Sequence, residues 1–294
     1  MEFKSSGSQI ALFLMLLGIN VIIFSTLAGM TANLLFGSSD LSSTPVFRYI
    51  NSITSIGVFG LTAYGFAFFV SNKKPLSYLQ LNKGVNISMW MILLLTYIVS
   101  LPVFSWIIEW NEGMKLPEFM SSIESWMRVN EDKNAETTVR LLSGTGIDVL
   151  LLNLLTIGFI SAICEELLFR GVILNWLKKT FKNIHVAVFL SAIVFSAIHL
   201  QFFGFFPRML MGIYLGYLFV WTGSIWSSII VHFINNIMIV IGEYLYNIKV
   251  IDTHYKEFVS AGDSYMFIFL SVMLTGICIY FTYKKREKKG VISE

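Results

Sequence analysis

The chain has 294 residues, 55% of them hydrophobic and only 13% charged, with a mean hydropathy of +0.71. That balance excludes an ordinary water-soluble domain and places the chain among membrane proteins. The net charge of +3 does not point to nucleic acid, because the basic residues gather at the ends of apolar runs and form no basic stripe.

Eight apolar runs follow one another, each near the length that ~20 residues at ~1.5 Å per residue need to cross a ~30 Å hydrocarbon layer. They cover Ile10 to Phe36, Val46 to Val70, Ile87 to Ile108, Ile147 to Trp176, Ile184 to Leu200, Phe206 to Thr222, Ile225 to Tyr246 and Met266 to Tyr283. The expected fold is all-α, a polytopic membrane protein with about eight transmembrane helices in one integral membrane domain over 1–294. The first run exceeds the ~7–15-residue apolar region of a signal peptide, and "ANLLFGSSD" is a poor cleavage site, so it reads as a retained helix. Cys164 and Cys278 both fall within runs and suggest neither a disulfide framework nor a paired-cysteine zinc site.

Lys73, Lys74 and Lys83 follow the second run, Lys178, Lys179 and Lys182 the fourth, and "YKKREKK" the eighth. These ends are expected to face the cytoplasm, with both termini and a basic tail over 284–294, in the cell inner (plasma) membrane. The long third loop, Glu109 to Gly146, then lies on the outer face. Its Phe119, Ile123, Trp126 and Met127 recur at helical spacing, which predicts an amphipathic surface helix; a lid over an entrance is the sharper alternative. No internal repeat or low-complexity segment is evident.

Charges within the runs demand a reason, since a charged side chain at the bilayer centre costs ~2.5–3.5 kcal/mol on insertion scales. Glu166 and Arg170 are four apart, acid first, which suits an ion pair on one helix, whereas Glu165 points about 100° away and needs its own partner or water. In the next run Phe195 and His199 share a face, and the seventh places His232 and Asn236 four apart beside Asn235. Interhelical hydrogen bonding at about 0.6–2 kcal/mol per contact is the plain explanation for any one of these. Polar groups on three runs point instead to a hydrated pocket within the membrane. Counting from the lysine turn puts Glu165 and His199 ~20–24 Å along their helices, but His232 only ~12 Å beyond the turn at Ser224.

Three motifs in order, "EELLFR", "FSAIH" and "HFINN", resemble the EExxxR, FxxxH and histidine–asparagine signatures of the CPBP family of intramembrane proteases, which includes CAAX prenyl endopeptidases and bacterial Abi proteins. The resemblance covers about 147–246, taken as the catalytic core. It implies hydrolysis of a peptide bond in a membrane-associated protein or peptide at the bilayer. Carried over, Glu165 is the base that activates water, His199 holds or polarises it, and His232 and Asn236 face the oxyanion. Glu166 and Arg170 are the structural pair, and Phe195 supports the site.

Family usage also names these enzymes metalloproteases, and Glu165, His199 and His232 offer three ligands to a divalent metal such as zinc, although "HExxH" is absent. Two other function classes stay open: an ion- or proton-coupled transporter, and a non-catalytic scaffold or bacteriocin-immunity protein of the same fold.

Overall fold

In the computed structural model, residues 5–37, 43–255 and 264–286 are described, and all regular structure among them is helical. Among the described residues seven helices are long and apolar enough to cross a membrane: α1 (Ser6–Phe36), α2 (Thr44–Val70), α3 (Ile87–Glu112), α5 (Ile147–Phe181), α7 (Phe202–Thr222), α8 (Ile225–Asn247) and α9 (Tyr265–Lys284). Between α3 and α5 lies the polar helix α4 (Ser121–Leu142), and between α5 and α7 the apolar helix α6 (Ile184–Ala197). The protein is therefore an all-helical polytopic membrane protein. Seven of the eight expected apolar runs form these long helices, and the eighth is α6, whose 14 residues reach ~21 Å. Most of the proposed basic tail, 287–294, lies outside the described residues.

Local chemistry sets several of these boundaries. Asn183 caps α6 through its side-chain oxygen, which accepts from the His185 and Val186 amides, and Ser224 caps α8 by accepting from Trp226 N. Gly223, at φ +64°, supplies the left-handed residue that ends α7. Pro102 interrupts the α3 hydrogen-bond ladder, and Ser271 of α9 covers the break by accepting from Val103 N at 3.2 Å and donating to Val99 O at 2.6 Å.

The basic ends converge on one end of the bundle. Trp176 Nε1 donates to Ser6 O, Lys179 sits over the Tyr78 ring, Ser224 Oγ donates to Lys83 O, and Trp221 meets Tyr283. At the opposite end α4 closes the molecule: Asn153 and Asn247 donate to Leu141 O and Leu142 O, and Arg48 also reaches Leu141 O. Phe169, Phe66, Leu79 and Leu168 form the core that joins α5 to α2.

The α7–α8 turn is recessed. Leu174 packs with Ile225, Val188 and Phe219 in one apolar cluster, so the turn sits level with Leu174 while α5 continues past it to Phe181. Measured from that level, Glu166 lies eight residues before Leu174 and His232 seven after Ile225. Their depths match, which removes the shortfall of His232 obtained by counting from the lysines.

Helix α5 is irregular around its acids. Ser161–Glu166 is α-helical, but Leu154–Ile160 before it and Leu167–Leu174 after it are π-helical, and α2 carries a third such stretch at Ser55–Leu61. A π turn accommodates one additional residue by widening the helix and leaves a carbonyl free to bond elsewhere.

Candidate active site

One cavity of about 540 Å³ takes Ser161 and Glu165 from α5, Phe195 and His199 from the α6 end, Arg208 and Met211 from α7, and His232, Asn235 and Asn236 from α8. Glu165, His199, His232 and Asn236 thus line a single space. Helix α4 contributes Glu131 and Thr138 to its wall, so the loop helix that could have been only a surface element also borders the cavity.

The two adjacent acids have different surroundings. Glu165 Oε1 accepts from Ser161 Oγ at 2.5 Å, and its Oε2 lies 3.9 Å from His232 Nε2, too far for a direct hydrogen bond. Glu166 is fully buried, and its Oε1 accepts from Arg170 Nη1 at 2.7 Å and meets His232 Nδ1 at 2.9 Å. A carboxylate at Nδ1 places the ring proton there and turns Nε2 toward Glu165. Arg170 also donates through Nη2 to Gly212 O at 3.1 Å, so one guanidinium ties α5 to α7.

Phe195 organises the rings. Its centroid lies 5.3 Å from that of His199, 6.0 Å from His232 and 5.1 Å from Phe169, and the Arg170 guanidinium stands 4.7 Å above it. His199 Nδ1 lies 2.8 Å from Phe195 O, a carbonyl that can only accept; Nδ1 therefore carries the proton and Nε2 has a lone pair. Asn236 Nδ2 donates to Ile157 O, within the first π stretch of α5, at 3.0 Å, and its oxygen accepts from Asn235 at 3.4 Å. The second N–H of Asn236 has no partner among the described residues.

The donors do not fit a metal as they are arranged. Among the described residues no group of three His, Cys, Asp or Glu side chains converges to hold one. The mechanism below therefore has no metal step.

Several participants were not legible beforehand. Ser161 is the hydrogen-bond donor to Glu165, Glu166 reaches His232 as well as Arg170, and Arg208 faces the cavity. The i, i+4 spacing of Ser161 and Glu165 was the only local signal for any of them. Glu243, further along α8, is not among the cavity residues and accepts from Tyr255 N and contacts His254 Nδ1.

A family model described as "Type II CAAX prenyl endopeptidase Rce1-like" matches residues 147–238, just under a third of the chain and the part that holds all three motifs. Searches of the curated proteins and of the solved structures found no match. Over this segment the chain is similar to the Rce1-like type II CAAX prenyl endopeptidases, which is consistent with a CPBP family protease.

Proposed function

We propose that the protein is an intramembrane endopeptidase that hydrolyses a peptide bond of a membrane-associated protein or peptide with water activated by Glu165. The observation that carries this reading is the convergence of Glu165, His199, His232 and Asn236 on one cavity, with Glu165 Oε2 3.9 Å from His232 Nε2.

Glu165 Oε2 and the lone pair of His199 Nε2 each accept one hydrogen of a water molecule, leaving its oxygen free to attack a carbonyl carbon. As the C–O bond forms, a proton passes to Glu165 and negative charge collects on the carbonyl oxygen. The free N–H of Asn236 donates to that oxyanion, with Ile157 O fixing the amide plane. Neutral His232 cannot donate at Nε2 because its proton is on Nδ1. It becomes a donor only on taking the proton from Glu165, across a gap that a bridging water or ~1 Å of approach would close. The resulting imidazolium, held by Glu166, then protonates the leaving nitrogen as the C–N bond breaks. Glu166 and Arg170 fix the histidine and stay out of the proton transfers.

The cavity's surroundings weigh against a transporter. Between it and the basic end stand Leu174, Phe219, Ile225 and Ile229 in an apolar cluster that contains no carboxylate, histidine or lysine. Purified protein in lipid nanodiscs, given a panel of quenched fluorescent membrane peptides, should cleave a subset, and Glu165→Gln should abolish cleavage while the protein stays folded. Ion flux lost in that variant without any cleavage would support transport instead. Partner binding that survives it, again without cleavage, would support the scaffold.

A further inference from the structure

Arg208 stands in the first turns of α7 on the wall of the same cavity, a position that the peptidase reading leaves without a task. Its side chain is held in place. Nη2 donates to Gln201 Oε1 at 2.6 Å, and the guanidinium lies so close to Gly204 that a Cβ there would come within 2.6 Å of Nη2. Gln201 is neutral, so the contact orients the cation without compensating it. Nη1 is buried with no hydrogen-bond partner, and no ion pair to Arg208 forms among the described residues. Glu131 and Glu165 act on it only through space. A cation in a membrane protein is ordinarily paired, as Arg170 is with Glu166, because an unpaired buried charge is among the costliest groups a fold can retain.

We propose that Arg208 is a substrate-binding residue that takes a carboxylate of the peptide, and so selects for acidic substrate near the scissile bond. The inference rests on the peptidase reading. The planar guanidinium fork matches a carboxylate geometrically, and in a restricted cavity that contact is charge-assisted. The neighbouring acids define the ligand further. Glu112 and Glu131 line the same cavity and repel a small free anion, whereas a carboxylate carried on a peptide enters with the binding energy of the chain behind it. Two sources present this group: the α-carboxylate at a chain terminus, and an Asp or Glu side chain.

The test uses the full-length protein in nanodiscs and two matched pairs of short apolar quenched fluorescent peptides. One pair has no acidic side chain and ends in a free carboxylate or a carboxamide; the other is carboxamide-terminated and carries one Asp or one Asn. Wild-type protein should favour the acid member of one pair by at least about tenfold in kcat/KM, as a hydrogen bond to a charged group provides. Arg208→Gln should bring that ratio toward one, and Arg208→Lys should restore part of it. A preference within the first pair assigns the chain terminus, and within the second an acidic side chain. Equal cleavage within both pairs by wild type, or a preference that survives Arg208→Gln, overturns the proposal. If Arg208→Gln does not fold, the ratio is read from Arg208→Lys, and an unchanged ratio there overturns it equally. Wild type that cleaves none of the four, nor any peptide of the wider panel, refutes the peptidase reading and this inference with it.

Discussion

Glu166 Oε1 lies 2.9 Å from Nδ1 of His232, an acid–imidazole contact between two helices with both side chains withdrawn from solvent. The same oxygen accepts from Arg170, so replacing Glu166 removes the counter-charge of a fully buried guanidinium. Glu166→Gln is expected to lose about 3–5 kcal/mol of stability, the usual cost of orphaning one member of a buried pair. Glu165→Gln, at a side chain that borders the cavity, should lose less than about 1 kcal/mol. Thermal unfolding in detergent compares them, and equal losses would contradict the division of roles between the two acids.

Catalysis should show the reverse order of sensitivity. If Glu165 is the base, Glu165→Gln lowers kcat by at least about 10³-fold, within the span ascribed to general-base groups. Ser161→Ala leaves Glu165 Oε1 without its donor and should cost about tenfold, while Ser161→Thr keeps a hydroxyl and retains most of the activity. Single-turnover cleavage measures all three. A threonine variant as slow as the alanine variant would show that side-chain shape, not the hydrogen bond, is what matters there.

Asn236→Ala should reduce kcat by about 10²–10³-fold with little change in KM, because the N–H assigned to the oxyanion acts on charge that develops only in the transition state. A rise in KM at constant kcat would place Asn236 in ground-state binding instead.

At Gly212 α7 packs closely against α6. A Cβ at this position would lie 3.0 Å from Ala192 Cβ and 3.2 Å from its Cα, and a neighbour with so short a side chain cannot turn away. Gly212→Ala should cost about 1–3 kcal/mol by overpacking and displace the carbonyl that holds Arg170. Gly29→Ala, where an added methyl meets nothing within 4 Å, should be neutral or stabilising through helix propensity. Melting curves of the two variants check the contrast.

The docking of α4 should depend on pH through Glu131. Burial pushes its carboxyl above the ordinary glutamate range, opposed by the Phe203 amide and Arg208 and assisted by Glu112 and Asp132. A carboxyl with a raised folded-state value favours the docked helix most below its unfolded value of ~4.3, and that contribution is lost as pH rises through the raised value. Hydrogen exchange over 121–142, corrected for intrinsic chemistry, should therefore be slower in mild acid than at neutral pH. Glu131→Gln should abolish the difference; if it persists in that variant, another group is responsible.

Hydropathy and motif spacing reveal the helices and the four polar positions because both are local patterns. The Glu166–Arg170 pair is legible for the same reason, as one helical turn separates them. Relations across helices are not. The link from His232 to Glu166 joins residues 66 apart, and that of Asn236 to Ile157 O spans 79. Depth arithmetic failed for His232 because it assumed that the lysines and the Ser224 turn lie level, whereas α5 runs on past the recessed turn. Nothing in the sequence singles out Arg208, because a proline and an arginine at the start of an apolar run look alike whether they face lipid or a cavity.

The π stretch at Leu154–Ile160 makes the local geometry separable from the register of the helix. Since a π turn holds one surplus residue, shortening this stretch by one would let α5 close into an ordinary helix with Glu165 and Glu166 still on their present faces. The backbone oxygen of Ile157 would then return to the helical ladder, and the carboxamide of Asn236 would swing without a tether. Such a deletion would yield a more regular protein and a slower one, uncoupling conformational ideality from turnover at a single peptide unit.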